Sequence, residues 1–373
     1  MKKRLNIGLI GYRFMGKAHS NALRTIPMFF DLPVEPVLKV ICGLKDDVAA
    51  AAQMYGWQRY VHDWNEVVAD PEIDIVAIAS PGYTHAKIAV AAAANGKHIF
   101  CEKPLGMSSD EAGVMYEAAR KNKVKHMVNF NYRRIPAVLL ARKLVQDGRL
   151  GRIYHFKASY QQDWAADPAV PYLWRFDQRL AGAGSVADKG SHIIDLARFL
   201  VGEMIAVAGM SDIFIKERAS LGNAQLKEEV TTDDAALFVA RFANGALGTF
   251  QTSRIATGYK NALQFEIGGS KGCLRFNLER LNELEAYFAD EESSTQGFRR
   301  ILVTGPEHEY MDRWWPPGHI IGWEHAFSHQ YYEFIKAIVE DYLPQPNFYD
   351  GLINQQVIEA VERAAQEKTW VTI

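Results

Sequence analysis

Over the first third of the chain, short apolar runs alternate with stretches of helical periodicity. Leu5 to Ile10 is a short apolar run, as expected for a strand buried on both faces of a parallel sheet. The turn Gly11-Tyr12-Arg13-Phe14-Met15-Gly16 follows, and Lys17 to Leu23 reads as helix. Pro36–Gly43, Asp74–Ala79, Lys97–Cys101 and His126–Asn131 read as further strands. Helices are predicted over Asp46–Tyr55, Asp63–Val68, Ala86–Asn95 and Ser108–Asn122, with Gly96 as a helix stop. Strands alternating with helices of this length predict βαβ units and a parallel sheet.

After Gly151 the pattern changes. Arg152–Tyr160, Ile205–Phe214, Asp234–Phe242, Gly245–Ser253, Ala262–Gly268 and Gly272–Asn277 read as strands, and Asn244-Gly245 is a hairpin signal. Gln162 to Ala181 is irregular, aromatic and proline-bearing, like a loop that lines a pocket. Asp188–Val201 carries the apolar stripe of a helix, and Phe327–Val339 and Asn354–Ala365 are late helices. The expected fold class is α/β followed by α+β. A dinucleotide-binding domain spans 1–131, and a domain with a large, mostly antiparallel open sheet spans 132–373. The last helix and strand are expected as elements able to pack back on the first domain.

Strand, glycine turn and helix together suit a dinucleotide pyrophosphate, which a helix N-terminus attracts through its free N–H groups and dipole. Gly11 and Gly16 fit the G-x-G-x-x-G pattern, but Arg13 holds the middle glycine's place. The end of the second strand normally carries an acid that grips the ribose. Gly43, Leu44 and Lys45 stand there instead, which with Arg13 leans toward a 2′-phosphate. The cofactor is therefore left as NAD or NADP.

At 373 residues the chain has room for two domains, and its near-neutral charge of −2 argues against nucleic acid as a partner. No run of eighteen apolar residues is present, so no membrane span is predicted, and the apolar run after the basic Met1-Lys2-Lys3-Arg4 is too short for a signal peptide and leads straight into the glycine turn. Cys42, Cys101 and Cys273 lack metal spacing and read as free thiols in a reducing cytoplasm. The histidines form no ligand cluster. His319, His325 and His329 are read as pocket or surface residues, and no metal is expected.

Six stretches carry a family resemblance: Gly8 to His19, Ser80-Pro81 with His85, Glu102-Lys103-Pro104, Asn129 to Arg134, Gly190 to Asp195, and the closing Trp370-Val371-Thr372-Ile373. The chain resembles the Gfo/Idh/MocA family of nicotinamide-dependent oxidoreductases over nearly its whole length. Tyr132-Arg133-Arg134, Gln162-Asp163-Trp164, Trp174-Arg175-Phe176 and the late Trp315-Pro316-Pro317-Gly318 are most similar to its levoglucosan dehydrogenase-like branch. The resemblance implies an open sheet whose outer face builds a homodimer or homotetramer. It also implies cofactor contacts at Gly11, Arg13, Phe14, Met15, Gly16, Lys45, Ser80, Pro81, His85, Glu102 and Lys103.

Asp188 and His192, four apart, share one face of the predicted helix, and a carboxylate beside an imidazole orients it as a base. The spacing alone is equally that of a helix-start aspartate with an unrelated histidine. The resemblance selects the catalytic reading. It further implies that Lys103, at a strand end, bonds the substrate hydroxyl, where a cation favours developing alkoxide. Lys189 departs from the apolar residue usual beside that aspartate, either altering the Asp188–His192 balance or pointing to solvent. Tyr132, Gln162, Asp163, Trp164, Trp174 and Arg175 are candidate carbohydrate contacts, since aromatic planes and hydrogen bonders suit C–H faces and hydroxyls. For the two tryptophans, a core or interface role is an almost equal alternative. Arg254, Trp315 and His319 are lesser candidates.

The expected activity is oxidation of a secondary sugar hydroxyl, at C3 by the branch resemblance, giving a 3-keto sugar. The alternatives are an NAD-dependent glycosidase that oxidises C3 transiently, an inositol dehydrogenase, and a nucleotide-sensing protein without turnover.

Overall fold

The computed structural model describes residues 2–373. They divide into two compact units, and the chain passes from one to the other three times, after Arg134, Ile321 and Ile353. The expected single cut after residue 131 is thus replaced by a discontinuous division. Gly322–Ile353 belongs with the first unit, and Asn354–Ile373 with the second.

In the first unit the strands are β1 (Lys3–Ile10), β2 (Val34–Cys42), β3 (Arg59–Val61), β4 (Ile75–Ile78), β5 (His98–Cys101) and β6 (His126–Val128). Helices α1 (Phe14–Phe29), α2 (Val48–Tyr55), α3 (Trp64–Ala69), α4 (His85–Ala94) and α5 (Ser109–Lys121) connect them. All pairings are parallel, in the order β3-β2-β1-β4-β5-β6. In this doubly wound arrangement ligands bind beyond the carboxyl ends of the strands where the order reverses, here β1 and β4. Burial on both faces explains why these strands are unbroken apolar runs: every side chain of β4 is buried. The strand predicted to Asn131 stops at Val128, and Asn131–Arg134 turns as a short 3-10 segment.

The second unit opens with α6 (Pro136–Gln146), whose proline at its start suits a helix's first turn. Then come β7 (Ile153–Gln161), α7 (Gln178–Ala181), α8 (Ser191–Leu200) and β8 (Met204–Asp212). A hairpin of β9 (Glu217–Ser220) and β10 (Asn223–Glu229) precedes β11 (Ala235–Phe242), β12 (Leu247–Ser253), β13 (Ala262–Gly269), β14 (Gly272–Asn277), β15 (Glu283–Phe288) and β16 (Arg299–Leu302). After these, α9 (His325–Val339) lies in the first unit, α10 (Phe348–Glu367) starts there and ends in the second, and β17 (Val371–Thr372) closes the chain. The large sheet runs β16-β15-β14-β13-β7-β12-β11-β8-β17, and only β7 with β12 is parallel. Strand β11 alternates buried and exposed positions strictly, as a half-covered antiparallel strand should. The Asn244-Gly245 turn joins β11 to β12 as read, with Gly245 at φ +87°.

The last strand joins the second unit's sheet. Val371 and Thr372 pair with Val207 and Ala206, completing the backbone hydrogen bonding of β8, which otherwise ends the sheet with open N–H and C=O groups. Helix α10 begins six residues before the expected start at Asn354 because Gly351, a poor helix residue, is required within it. A Cβ there would come within 2.6 Å of Leu105. Among the described residues no helix is long and apolar enough to cross a membrane, and no group of three metal-binding side chains is found. The three cysteines are free.

Glu362 of α10 titrates where ordinary carboxyls do not. Burial pushes its pKa up to about 7, and the charges of Asp233 and Glu359 push the same way. A carboxyl raised in the folded state gives stability that is whole below about pH 4.5 and is lost as pH rises toward 7. Glu362→Gln is expected to remove this loss. At pH 8 the variant should melt a few degrees above wild type, about 1–2 kcal/mol after allowance for its solvent exposure, while at pH 4.5 the two should match. Melting curves across pH 4–8 measure the difference.

Candidate active site

In the first unit, β1 delivers its chain end to a turn that only glycine satisfies. Gly11 sits at φ +106°, and a Cβ on it would lie 2.5 Å from the Ala79 carbonyl and 2.7 Å from the Ser80 nitrogen. A Cβ on Gly16 would lie 2.2 Å from the Gly11 carbonyl oxygen. The ends of β1 and β4 are thereby in backbone contact at the reversal of strand order. Arg13, in the middle glycine's place, has φ −71°, which any L-residue adopts, so no glycine is needed there. The first turn of α1 has no capping side chain and no acid. Uncapped N–H groups and the positive end of the dipole suit a pyrophosphate, and the residues present therefore fit a dinucleotide.

Arg13 is paired with Asp47 at 2.8 Å, and Tyr12 donates its hydroxyl proton to the other oxygen of the same carboxylate. Asp47 lies five residues beyond the end of β2 at Cys42. The Tyr12 ring crosses Gly43, where a Cβ would clash at 2.2 Å. Lys45 is exposed in this turn.

Two residues expected at the cofactor have structural roles instead. The His85 ring is 1 % exposed. Its Nε2 lies 2.9 Å from the Ser80 carbonyl, and its Nδ1 lies 3.1 and 3.3 Å from those of Pro104 and Leu105. It clasps the loop after β4 to the loop after β5. Burial lowers its pKa, although the three carbonyls oppose this. Glu102 is buried too. Its Oε1 accepts from Asn129 at 2.6 Å and lies 2.9 Å from His19 Nε2, and its Oε2 accepts the Lys103 N–H at 3.2 Å. Burial raises the Glu102 carboxyl, but His19, Asn129 and Lys103 outweigh it and hold the group below the usual range. His19 Nδ1 continues the chain to the Tyr331 hydroxyl at 2.7 Å. Lys103 follows directly on this network, half-buried, joined to Pro104 by a cis peptide bond. Tyr132 is buried in the 3-10 turn after β6.

In the second unit, Asp188 and His192 do not lie on one regular helix. Val186–Gly190 is a π-helical turn, and α8 starts at Ser191. Such turns carry an extra residue and recur at functional sites. Asp233 caps this one: its carboxylate accepts from the Gly184 N–H at 2.8 Å, the Val186 N–H at 3.1 Å and the Ser185 hydroxyl. His192 is buried, its ring edge-on to Tyr160 at 5.7 Å. Lys189 does not point to solvent. It is buried and paired with Asp188, with its ammonium 5.7 Å from the Tyr160 ring centre and 5.9 Å from that of Trp164.

The segment after β7, irregular in the sequence, is held from beneath. Arg218, 1 % exposed, donates to the carbonyls of Ala165, Asp167 and Val170, and its guanidinium lies 4.3 Å from the Phe176 ring centre. Arg254, offered above as a lesser substrate candidate, is buried against the same ring at 4.6 Å. It pairs with Asp234 at 2.9 Å and donates to the carbonyls of Arg175 and Thr232. Trp164 packs on Phe176, and Arg175 lies over Trp174. Gln162 donates to Asn261 at 2.6 Å, and Asp163 pairs with Lys260 at 2.7 Å. No local signal marked Arg218, which stands on a polar hairpin strand. Among the late residues His319 is exposed and hydrogen-bonded to the Pro316 carbonyl. His329 is not a pocket residue: burial pushes it down to about 3, so it is a neutral core group.

Comparison with known proteins agrees with both halves. Residues 5–130 match the model of an oxidoreductase family with an NAD-binding Rossmann fold, and residues 138–275 match the GFO/IDH/MocA C-terminal domain. Levoglucosan dehydrogenase of Pseudarthrobacter phenanthrenivorans is 42% identical, with 99% of this chain and 98% of that protein covered. A levoglucosan dehydrogenase structure in complex with NADH and levoglucosan aligns with a TM-score of 0.96 at 43% identity, covering 100% of this chain and 99% of that one. An oxidoreductase domain protein from Kribbella flavida aligns at 0.97 with 47% identity, with both chains fully covered. Myo-inositol 2-dehydrogenase of Thermotoga maritima is 25% identical over 99% of this chain and 98% of its own. The fold and the glycine turn define a nicotinamide-dependent oxidoreductase. The chain belongs to the Gfo/Idh/MocA family.

Arg218→Met is expected to leave three backbone carbonyls without their donor. Destabilisation should be about 3–5 kcal/mol, with amide exchange over residues 162–176 at least tenfold faster than in wild type. Hydrogen–deuterium exchange checks this, with β1–β6 unchanged as the internal control.

Proposed function

We propose that this enzyme oxidises a secondary hydroxyl of a pyranose-like sugar, glycoside or anhydrosugar, at C3, with NAD as acceptor. The observation that carries the reading is the pair of buried Lys189 with Asp188 near Trp164, and His192 beside Tyr160, in a chain 42% identical over its full length to levoglucosan dehydrogenase. A nicotinamide dinucleotide held at the Gly11–Gly16 turn would supply the hydride acceptor. NAD is preferred because Arg13, the cation facing this turn, is neutralised by Asp47.

His192, buried beside Tyr160, takes the hydroxyl proton as general base. Asp188, paired with Lys189, stabilises the imidazolium that results. Lys103 donates to the reacting oxygen and favours its alkoxide character. Tyr132, Gln162, Asp163, Trp164, Trp174 and Arg175 bind the rest of the sugar, the tryptophan planes meeting its C–H face. The enzyme acts in the cytoplasm.

The outer face of the second unit's sheet exposes Met210, Leu237, Val239 and Leu247, with Thr249 and Gln251 between them, a patch that we assign to contact with further copies of the chain. Sedimentation of the pure protein at two or four times the chain mass is expected; a monomer at micromolar concentration refutes the assignment.

The test of function is absorbance at the reduced-nicotinamide band with NAD or NADP and a panel of levoglucosan, glucosides and inositols. A rise with NAD and a pyranose-type substrate is expected. A flat trace from protein that binds NADH overturns the dehydrogenase reading and directs the work to aryl glycosides. His192→Ala should lower kcat at least 10³-fold while the Kd for NADH stays within twofold; undiminished turnover would remove His192 as the base.

A further inference from the structure

One contact chain in the first unit leads from the dinucleotide turn to a residue assigned to the sugar. Phe14, the first residue of α1, lies within the glycine turn, and its side chain is 70 % exposed. One face stacks on Trp323, with ring centres 5.6 Å apart and planes 18° from parallel. Trp323 stands two residues before α9, and it also packs on the buried Phe327 at 4.7 Å. Its indole N–H donates to the Tyr132 hydroxyl at 3.1 Å. Tyr132 is only 4 % exposed, so its hydroxyl works in a dry setting where one donor both fixes the oxygen and sharpens its own O–H as a donor.

We propose that Trp323 is a positioning residue that couples dinucleotide binding to sugar binding. A dinucleotide in the turn settles Phe14, Phe14 settles the indole plane, and the indole N–H aims the Tyr132 hydroxyl. An exposed aromatic ring in a phosphate-binding turn has little other means of being held, which is why seating a ligand there changes its freedom. Because coupling between two ligands is reciprocal, the sugar tightens the dinucleotide by the same factor. The proposal rests on the assignment of Tyr132 to the sugar, whereas the Phe14–Trp323 link stands apart from any substrate.

Trp323→Phe keeps a ring against Phe14 and removes the N–H. The variant should raise the KM for the sugar about tenfold, with kcat and the Kd for NADH within twofold of wild type. Tyr132→Phe should raise KM at least as much, and the double variant should be no worse than Tyr132→Phe alone, since both remove one bond. Additive effects would show two independent contacts and overturn the coupling. A second arm needs no substrate: NAD titrated into wild type should change tryptophan emission by an increment that Trp323→Phe lacks and Phe14→Ala reduces. Identical changes in wild type and Trp323→Phe overturn the proposal. If no sugar yields reduced nicotinamide, the functional reading fails, and the emission arm still decides whether the turn and Trp323 are linked.

Discussion

A buried carboxylate must find partners for both oxygens or leave its site, and Glu102 meets that demand by drawing four parts of the first unit together. His19 comes from α1, Asn129 from the end of β6, the Lys103 N–H from the loop after β5, and Tyr331 of α9 through His19. The attraction is strong enough to hold the carboxyl ionised against burial. Lys103 inherits its position from this network, because its own backbone N–H is one of the bonds. Phe100 and Tyr331 stack at 4.1 Å next to it, so the polar chain runs inside an apolar wall that keeps water from competing.

The second unit solves a similar problem with two neighbouring acids at the entry to β11. Asp233 turns one way and caps the π-helical turn that carries Asp188 and Lys189. Asp234 turns the other way, accepts the backbone N–H groups of Phe214 and Ile215, and pairs with Arg254. Arg254 and Arg218 then share the ring of Phe176 and tie down the carbonyls of the preceding loop. A loop that carries candidate binding residues thus has a rigid floor, and its mobility is set by buried guanidinium groups rather than by its own composition. Glu362 adds a third carboxyl near Asp233, and its raised pKa is the measure of how little solvent reaches that corner.

Departures from motif find their reasons here. A glycine is needed where the backbone takes positive φ or meets another backbone: Gly11 meets both conditions, and Gly16 the second. Arg13 has negative φ, so its place does not demand a glycine, and its charge is paired with Asp47. Lys189 likewise replaces an apolar neighbour without exposing itself, because Asp188 and two aromatic rings accept its charge.

What the sequence by itself determined is what depends on neighbours in the chain. The parallel strands were legible because burial on both faces demands apolar runs. The Asn244-Gly245 hairpin was legible because two residues decide it, and the glycine turn because positive φ excludes other residues. The hairpin of β9 and β10 was not legible: β10 is polar and almost wholly exposed, so no alternation marks it. Contacts between residues far apart in the chain were decided only by tertiary structure. Arg218 under the loop at 165–170, Asp47 against Arg13, Trp323 on Phe14 and the closing strand on β8 are all of this kind. The π-helical turn belongs with them, because Asp233, some 45 residues downstream, holds it. A charged or aromatic side chain looks the same in the sequence whether it meets solvent or a buried partner, and only the folded chain supplies the partner.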